Sequence, residues 1–519
     1  MTAQGRPNWR NIADLARSAA ERFGSQAAIV DGSVRLSFRE LAGLMDRAAS
    51  GLHAQGFRAG DRAVMWAPNG WRWIVGALAV HALGGVVVPV NTRYRATDLA
   101  YILERVAPRV VMLEQGFLGA DFLAMLDEAA ADCQVKPVAV LLEEHPDPAR
   151  GICFADLLAH GPGDKDLILA GPSPEATADI IFTSGTTGRP RGVVTTHAQV
   201  LQGFYDFGAE CGLTEGDRYA IVNPFSHSFG YRSGWIMALM FGACAWPLPV
   251  LDVPSLLELV ERERISVLPG PPTLFQSMLS APELAGRDIS SLRLCWTGAA
   301  SIPPALITAM RETLGFRDVF TAYALTEATA VATLTRRGDS DERVALTSGC
   351  ALPDIEVRIA DGDRPLGTGE SGEIQIRGYN ITPGYLDDPE ATAEAIDREG
   401  WLRTGDIGSL DASGYLSVSG RLKEMIIVGG FNVYPAEVEN LLLQHPAIAE
   451  VAVTGVPDER MGEVPLAWIV AREGHALDPA EVMAWTKSRI ANFKAPRKVR
   501  VMDSLPRNAL GKVLKHELR

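Results

Sequence analysis

The chain has 519 residues, and its 49 lysines and arginines against 63 aspartates and glutamates give a formal net charge of −14. A hydrophobic fraction of 47% and a charged fraction of 22% exclude an intrinsically disordered protein, and the acidic balance argues against a nucleic-acid-binding protein. At roughly 150 residues per domain, the length predicts about three to four domain-sized units.

The six cysteines lie far apart and form no C-x-x-C pair. This spacing argues against a disulfide framework and a zinc site, and it is typical of buried thiols in a reducing compartment, so we expect a cytoplasmic protein. The first residues carry charges throughout, which argues against a secretory signal. Two apolar stretches, 74–90 and 234–251, are at or just below bilayer-spanning length. We interpret each as a buried helix that runs into a strand, while a peripheral membrane contact stays open.

The first part of the chain alternates helical and strand patterns. Ser37, with Glu40 three residues later, forms a capping-box pattern that predicts a helix over 37–55. A second helix is predicted over 71–83. Strands are predicted at 62–66, 86–90, 110–113 and 138–142. This alternation predicts parallel sheets covered by helices.

The second part of the chain changes pattern twice. Residues 161–178 predict a linker that leads into a short buried strand at 179–182. Between 348 and 420, short strands separated by Gly and Asp turns predict a β-rich subdomain. Helices and strands then alternate on a smaller scale. The sequence therefore predicts an α/β fold in which a large N-terminal body of parallel sheets and the β-rich subdomain, 1–420, precede a small α+β domain, 421–519.

The segment after the strand at 179–182 combines glycines, hydroxyls and cations. It contains Thr183, Ser184, Gly185, Thr186, Thr187, Gly188 and Arg191. Glycines let successive N–H groups point inward as an anion-binding nest, and hydroxyls and arginine add hydrogen bonds to phosphate oxygens. The Walker pattern is absent. A solvated turn is the alternative, but the return to a strand pattern directly afterwards favours phosphate binding.

This segment carries a resemblance to a known family. The run TSGTTGRPRG at 183–192 resembles the signature of the adenylate-forming superfamily of acyl-CoA synthetases, luciferases and peptide-synthetase adenylation domains. The usual signature ends in Pro-Lys-Gly, and Arg191 stands at the lysine position, which keeps the charge but changes its geometry. Further motifs follow in the family's order, so the resemblance covers nearly the whole chain. Taken singly, each motif has an ordinary alternative as a turn, a strand end or a surface lysine.

The motif YALTE at 323–327 resembles the family's Tyr-Gly-x-Thr-Glu. The resemblance implies that Tyr323 stacks on adenine, that Thr326 contacts the α-phosphate and that Glu327 holds Mg²⁺. Ala324 replaces the usual glycine and adds a methyl group near the acyl pocket.

Two motifs at the end of the large body resemble the family's ribose site and hinge. WLRTGD at 401–406 resembles W-x-x-T-G-D, which implies that Asp406 accepts hydrogen bonds from both ribose hydroxyls. GRLKE at 420–424 resembles the hinge, which implies that Arg421 helps to hold the nucleotide and that Lys423 marks the swivel position.

The C-terminal motif PRNALGK at 506–512 resembles the family's P-R-x-x-x-G-K. The resemblance implies that Lys512 is catalytic and bridges the substrate carboxylate and the α-phosphate during adenylation. Lys515, three residues later, is assigned an ordinary surface role.

The acyl pocket has a weaker signature. NPFSHSFGY at 223–231 resembles the family's pocket motif and places His227 at its aromatic gate, with a core-packing histidine as the alternative. No aspartate of the kind found in amino-acid-activating members occurs in this motif. Gly298 and Ala299 beside Trp296 suit a broad alicyclic acid, although they also admit a medium-chain fatty or an aryl acid. Several segments resemble an actinobacterial subgroup that activates the bicyclic propanoate left after sterol A/B-ring degradation.

The resemblance implies an acid–CoA ligase that uses ATP, Mg²⁺ and coenzyme A. A carboxylic acid and ATP give an acyl-adenylate and pyrophosphate, and the coenzyme A thiol then displaces AMP. The small domain is expected to rotate between the two steps, withdrawing Lys512 and bringing up Gly429 and Gly430 as a wall of the pantetheine tunnel. An adenylating enzyme that loads a carrier protein is the alternative; a regulator without catalysis is disfavoured by Lys512, Glu327 and Asp406. A homodimer stays open.

Overall fold

The computed structural model describes residues 6–143, 149–161, 171–183, 190–298, 302–329, 331–428, 431–507 and 513–518. Helices and strands alternate through the large body, as the sequence predicts for an α/β protein. The described α-helices of this body are Ile12–Phe23, Phe38–Ala54, Trp71–Ala82, Ala96–Val106, Phe122–Ala129, Phe154–Ala159, His197–Cys211, Ser228–Gly230, Met237–Phe241, Val253–Glu263, Pro272–Ser280, Pro304–Glu312, Asp341–Leu346 and Pro389–Ala395.

The largest sheet has seven strands in the described part of the chain. Their spatial order is Ile152–Cys153, Val138–Leu141, Val110–Leu113, Arg62–Trp66, Val86–Pro89, Thr177–Thr183 and Arg191–Thr196. All neighbours are parallel except the last pair, which is an antiparallel hairpin around the predicted phosphate loop. The capping box predicted at Ser37 is present: the Ser37 hydroxyl accepts from the Glu40 N–H, and Glu40 caps the Ser37 N–H in return.

A second sheet is assembled from two four-stranded pieces. The first piece contains, in spatial order, Arg218–Ile221, Cys244–Pro247, Ala27–Asp31 and Val34–Ser37. The second contains Leu294–Thr297, Asp318–Ala324, Val331–Leu334 and Cys350–Ala351. Val267 forms parallel bridges to Tyr219 and to Leu294 and so joins the two pieces. The predicted pocket motif, Gly298 and the YALTE motif thus all lie at the carboxyl ends of parallel strands.

The β-rich subdomain is present as a five-stranded antiparallel sheet. Its strands, in spatial order, are Arg364–Pro365, Ile355–Asp361, Gly372–Gly378, Leu402–Leu410 and Leu416–Arg421. The sequence-based prediction misses the strand that carries the WLRTGD motif. Its glycines and charged residues interrupt the alternation of apolar and polar residues that marks a strand.

Residues after 421 form their own sheet and their own apolar core. The strands are, in spatial order, Phe431–Val433, Ile426–Val428, Gly462–Ala471 and Ile448–Asp458, with Lys498–Met502 parallel to Gly462–Ala471. The helices are Pro435–Leu442 and Pro479–Lys487. Burial of apolar side chains such as Val438, Leu442 and Ile469 closes this core. The predicted α+β pattern is confirmed, and the boundary at 420 stays a prediction.

The two apolar stretches have the predicted burial. The first comprises the helix Trp71–Ala82 and the strand Val86–Pro89, and the second contains the strand Cys244–Pro247 after a short helix. Among the described residues, no helix combines the length and apolarity needed to cross a membrane. None of the six cysteines forms a disulfide: Cys153, Cys211, Cys244 and Cys295 are buried, and Cys133 and Cys350 are partly exposed.

Candidate active site

Asp406 is the meeting point of three motifs that are far apart in the sequence. It lies directly opposite Arg421 across the antiparallel pair Leu402–Leu410 and Leu416–Arg421. The Arg421 Nε lies 3.0 Å from Asp406 Oδ1, and the Tyr323 hydroxyl donates to Asp406 Oδ2 over 2.5 Å. The ring of Tyr323 is buried, which raises the pKa of its phenol and keeps it a donor. The two donors fix the orientation of a carboxylate that is 7% exposed.

Glu327 and Arg191 are connected through Tyr385, which the sequence motifs do not include. The Tyr385 hydroxyl donates to Glu327 Oε1 over 3.1 Å, and the Arg191 guanidinium lies 5.2 Å from the centre of the Tyr385 ring. Burial, followed by the Glu327 carboxylate, raises the pKa of Tyr385. A β-bridge between Val193 and Tyr385 brings the tyrosine to the hairpin. The phosphate-loop arginine and the predicted metal ligand therefore share one neighbour.

The donor set around Glu327 fits a magnesium ion that travels with a nucleotide. Glu327 is half-buried, and Thr326 stands beside it in the short 3₁₀ turn Thr326–Ala328. Within the described ranges, no cluster of three or more His, Cys, Asp or Glu side chains is present that could hold a metal by itself. Mg²⁺ commonly takes one or two carboxylates together with substrate phosphates, so a single carboxylate facing a triphosphate is a suitable arrangement.

His227 lies half-buried directly before the short helix Ser228–Gly230, within the pocket motif. Its Nδ1 accepts the N–H of Phe229 over 3.1 Å. Burial, assisted by the nearby Arg232 cation, lowers the pKa of His227 to about 4. The imidazole is therefore neutral at neutral pH and carries its remaining proton on Nε2, because Nδ1 acts as an acceptor.

The predicted acyl-pocket positions Gly298 and Ala324 border open space. Among the described residues, a Cβ built on Gly298 would meet only the Ala322 carbonyl oxygen, at 3.7 Å, within a 4 Å radius. Ala324 is exposed at the end of the strand Asp318–Ala324. In the part of the chain that the structure describes, no side chain fills the space beside Gly298.

The predicted hinge lies at the surface, directly after the strand that carries Arg421. Lys423 is exposed in the 3₁₀ turn Leu422–Glu424. The surface role assigned to Lys515 is wrong. Its Nζ lies 3.0 Å from Glu424 Oε2 and 2.8 Å from Glu439 Oε1, and its side chain is only 24% exposed. The reason is tertiary: the last turn of the described chain packs between the hinge and the helix Pro435–Leu442, which no local pattern shows.

Several predicted site residues lie outside the described part of the chain. They are Ser184, Gly185, Thr186, Thr187, Gly188, Ala299, Gly429, Gly430 and Lys512. Flanking residues pair with each other at three of these gaps. Val428 pairs with Phe431 across Gly429 and Gly430. Thr183 pairs with Arg191 across the hairpin, and a bridge between Arg507 and Val513 brackets the segment that contains Lys512.

The chain matches the family model for the AMP-binding enzyme over residues 16–386 and that for the AMP-binding enzyme C-terminal domain over 437–512. It is 46% identical over 510 residues to a 7a-methyl-1,5-dioxo-octahydro-inden-4-yl propanoyl:CoA ligase of Rhodococcus jostii, covering 97% of both chains. It is 45% identical over 495 residues to the Mycobacterium tuberculosis ligase of the same name, covering 95% of both.

A solved structure shows the same fold. ATP-bound MatB from Rhodopseudomonas palustris superimposes with a TM-score of 0.87 at 28% identity, covering 98% of both chains. The two family models together match most of the chain, and the two relatives and this structure match nearly its full length. The chain therefore belongs to the AMP-binding enzymes, and within them to the AMP-forming acid–CoA ligases.

Proposed function

We propose that the acid which this ligase activates is a bulky alicyclic propanoate of the bicyclic, ketone-bearing kind that sterol ring degradation leaves. The observation that carries the proposal is the 45–46% identity, over nearly the full length, to two ligases whose names specify such an acid. The open space at Gly298 supports it, because a fused ring system is broader than a linear chain. A medium-chain acid is the second candidate, since ACSF2, described as a medium-chain acyl-CoA ligase in Homo sapiens, is 32% identical over 540 residues.

We propose the nucleotide contacts that the family's motifs imply, and the geometry of the described residues supports them. Asp406 accepts the ribose hydroxyls, and its contacts with Tyr323 and Arg421, which fix the carboxylate, support this role. Arg191 and Thr326 bind phosphate oxygens, and Glu327 holds the Mg²⁺ that accompanies ATP and offsets phosphate charge. Neither half-reaction needs a nucleophile from the protein, so the work of these residues is orientation and charge stabilisation.

The two half-reactions need different groups of the protein at the same active site. In the first, a carboxylate oxygen attacks the α-phosphorus and pyrophosphate leaves; Lys512 stabilises the negative charge that the two anions bring together. In the second, the coenzyme A sulfur attacks the acyl carbonyl and AMP leaves. Rotation of residues 421–519 about Lys423 exchanges Lys512 for Gly429 and Gly430, and the neutral His227 acts as the gate between the acyl and thiol sites.

The same geometry fits an enzyme that transfers its acyl group to a carrier protein, so the acceptor is part of the test. A panel of linear, aryl and bicyclic alicyclic acids is assayed with ATP, Mg²⁺ and free coenzyme A, and thioester, AMP and pyrophosphate are quantified. We expect thioester formation with the highest kcat/KM for the bicyclic acids. Release of AMP and pyrophosphate without thioester for every acid would contradict the use of free coenzyme A. Higher kcat/KM for linear acids would contradict the proposed substrate. The six cysteines without disulfides, four of them buried, support a cytoplasmic location.

A further inference from the structure

A fully buried ion pair lies behind the phosphate-loop hairpin. Asp179 and Arg232 both have side chains that are 0% exposed. The Arg232 guanidinium donates to both carboxylate oxygens, from Nη2 to Oδ1 and from Nε to Oδ2, the latter over 3.3 Å. Asp179 stands in the strand that enters residues 184–189, and Arg232 follows the pocket motif. No sequence motif singles out either residue.

The same guanidinium reaches two further parts of the site. Its Nη2 donates to Thr195 Oγ1 over 2.7 Å, and Thr195 is the direct partner of Asp179 across the hairpin. Its Nη1 donates to the Thr329 carbonyl over 2.5 Å. Thr329 caps the turn that carries Thr326 and Glu327 and has a left-handed backbone, with φ at 61°.

Burial of this pair is not explained by stability alone. Taking two charges out of water is costly, and well-packed apolar residues of similar volume are often as stable as a buried ion pair. What the planar guanidinium adds is direction, because its fixed fork holds several acceptors at set angles. Arg232 holds the strand before the phosphate loop, the strand after it and the metal-ligand turn in one arrangement.

We propose that Arg232, oriented by Asp179, is a positioning residue for the adenylation half-reaction. It sets the spacing between the hairpin around residues 184–189, which binds the phosphates, and the turn of Thr326 and Glu327. The inference rests on the proposed nucleotide contacts. Thioester formation uses neither pyrophosphate nor the phosphates beyond the α-position, so it depends less on this spacing.

The test compares the single variants Asp179→Leu and Arg232→Met with the double variant. Each single variant leaves one buried charge without its partner and lowers the melting temperature strongly, whereas the double variant recovers most of it. We expect the double variant to form acyl-adenylate at least about tenfold more slowly than the parent enzyme, which corresponds to about 1.4 kcal/mol in the barrier. Thioester formation from supplied acyl-adenylate should change by less than about threefold. A double variant that regains both stability and the parent's adenylation rate would show that the pair is only structural.

Two milder variants cover the case in which the double variant does not fold. Thr195→Val removes one acceptor of the guanidinium and keeps the ion pair, and Arg232→Lys keeps the charge and loses the fork. Both should slow adenylation several-fold while the melting temperature stays close to that of the parent. If neither changes adenylation, the inference is wrong.

A second ion pair provides the matched control. Arg293 donates from Nε to Asp217 Oδ1 over 2.8 Å, and the aspartate side chain is 4% exposed. This pair precedes the strands Arg218–Ile221 and Leu294–Thr297, at the ends opposite the site. Replacing it by Leu and Met should affect stability but leave the ratio of the two half-reaction rates unchanged. A parent enzyme that makes no thioester would count against the proposed function, whereas an active parent with an unaffected Thr195→Val variant counts against this inference alone.

Discussion

The hydroxyl of Tyr323 and the carboxylate of Asp406 are 83 residues apart in the chain and share a hydrogen bond of 2.5 Å. The other carboxylate oxygen is bound by Arg421, the residue that precedes the hinge turn. The bond joins the two pieces of the site that the sequence assigns to the adenine and to the ribose. It gives the tyrosine a second role, which is to aim the carboxylate.

Tyr323→Phe keeps the aromatic ring and removes this hydrogen bond. Hydrogen bonds to charged groups contribute about 1.5–3 kcal/mol, so we expect the KM for ATP to rise about tenfold and that for coenzyme A to change little. Tyr415→Phe is the matched control, because Tyr415 is equally buried at 7% exposure and donates to Asp339 over 2.8 Å outside the site. Equal effects of the two substitutions on ATP binding would refute the assignment.

Arg191→Lys restores the residue that is usual in the family. Lysine keeps the charge but cannot place a planar group over the Tyr385 ring. We therefore expect a modest change in the KM for ATP, below about tenfold, measured at saturating acid. Complete loss of activity would instead assign the arginine a specific catalytic contact, and Tyr385→Phe would show whether that contact depends on Glu327.

Lys512→Ala separates the two half-reactions. The lysine is proposed to act only while carboxylate and α-phosphate come together, and loss of such a contact typically costs about 10²–10³ in rate. The rate of adenylate formation, measured as pyrophosphate release, should fall by this factor. Thioester formation from supplied acyl-adenylate should remain. Equal losses in both assays would contradict rotation of the small domain.

Lys515→Met tests the anchor between the hinge and the helix Pro435–Leu442. The substitution leaves Glu424 and Glu439 without their cation, and Glu439 is 9% exposed. Breaking a buried pair costs 3–5 kcal/mol, and partial solvent access reduces this to about 2 kcal/mol. Thermal unfolding followed by fluorescence should show the loss, and Lys515→Arg should largely restore stability. An unchanged transition in Lys515→Met would mean that the contacts contribute nothing.

Buried histidines predict that the protein loses stability as the pH falls. Burial lowers the pKa of His197 from 6.5 to about 3 and that of His81 well below 6.5. The unfolded chain therefore binds more protons than the folded one below about pH 6.5, and each histidine removes up to about 1.4 kcal/mol per pH unit as the pH falls. Asp206, whose pKa burial raises to about 6, acts in the opposite sense.

The comparison between variants isolates the histidine contribution. His197→Asn keeps an acceptor for the Ile12 N–H, which lies 3.4 Å from His197 Nδ1, and removes the titration. Urea unfolding between about pH 5 and 7 should then show a slope of stability against pH that is lower by about one proton. If the His197→Asn variant kept the parent's slope of stability against pH, the result would contradict burial of His197 in its neutral form.

Local patterns account for much of the fold and for the identity of the site. The capping box at Ser37 and the alternating segments predict their helices and strands because those signals come from residues close in sequence. The motif residues Tyr323, Asp406 and Arg421 are also predicted, but the hydrogen bonds between them are not. Which donor meets which carboxylate oxygen depends on how two sheets approach each other, and a single sequence does not encode that locally.

The residues that sequence reasoning misses act through tertiary contacts. Tyr385 stands in a loop and gains its place by a bridge to Val193. Arg232 is one more cation directly after the pocket motif, and its burial against Asp179 follows only from the packing of the hairpin on that segment. Lys515 reads as one more surface lysine near the C-terminus, although it binds two carboxylates.

The distribution of the cysteines has a practical consequence for following motion in this enzyme. All six lie at or before Cys350, so residues 421–519 contain no thiol. Burial raises the pKa of Cys211 and Cys295 well above the usual range and that of Cys244 to about 12, and only a thiolate reacts with alkylating reagents. The rate at which these three thiols are alkylated therefore reports opening of the large body, and we expect the proposed rotation of the small domain to leave that rate unchanged.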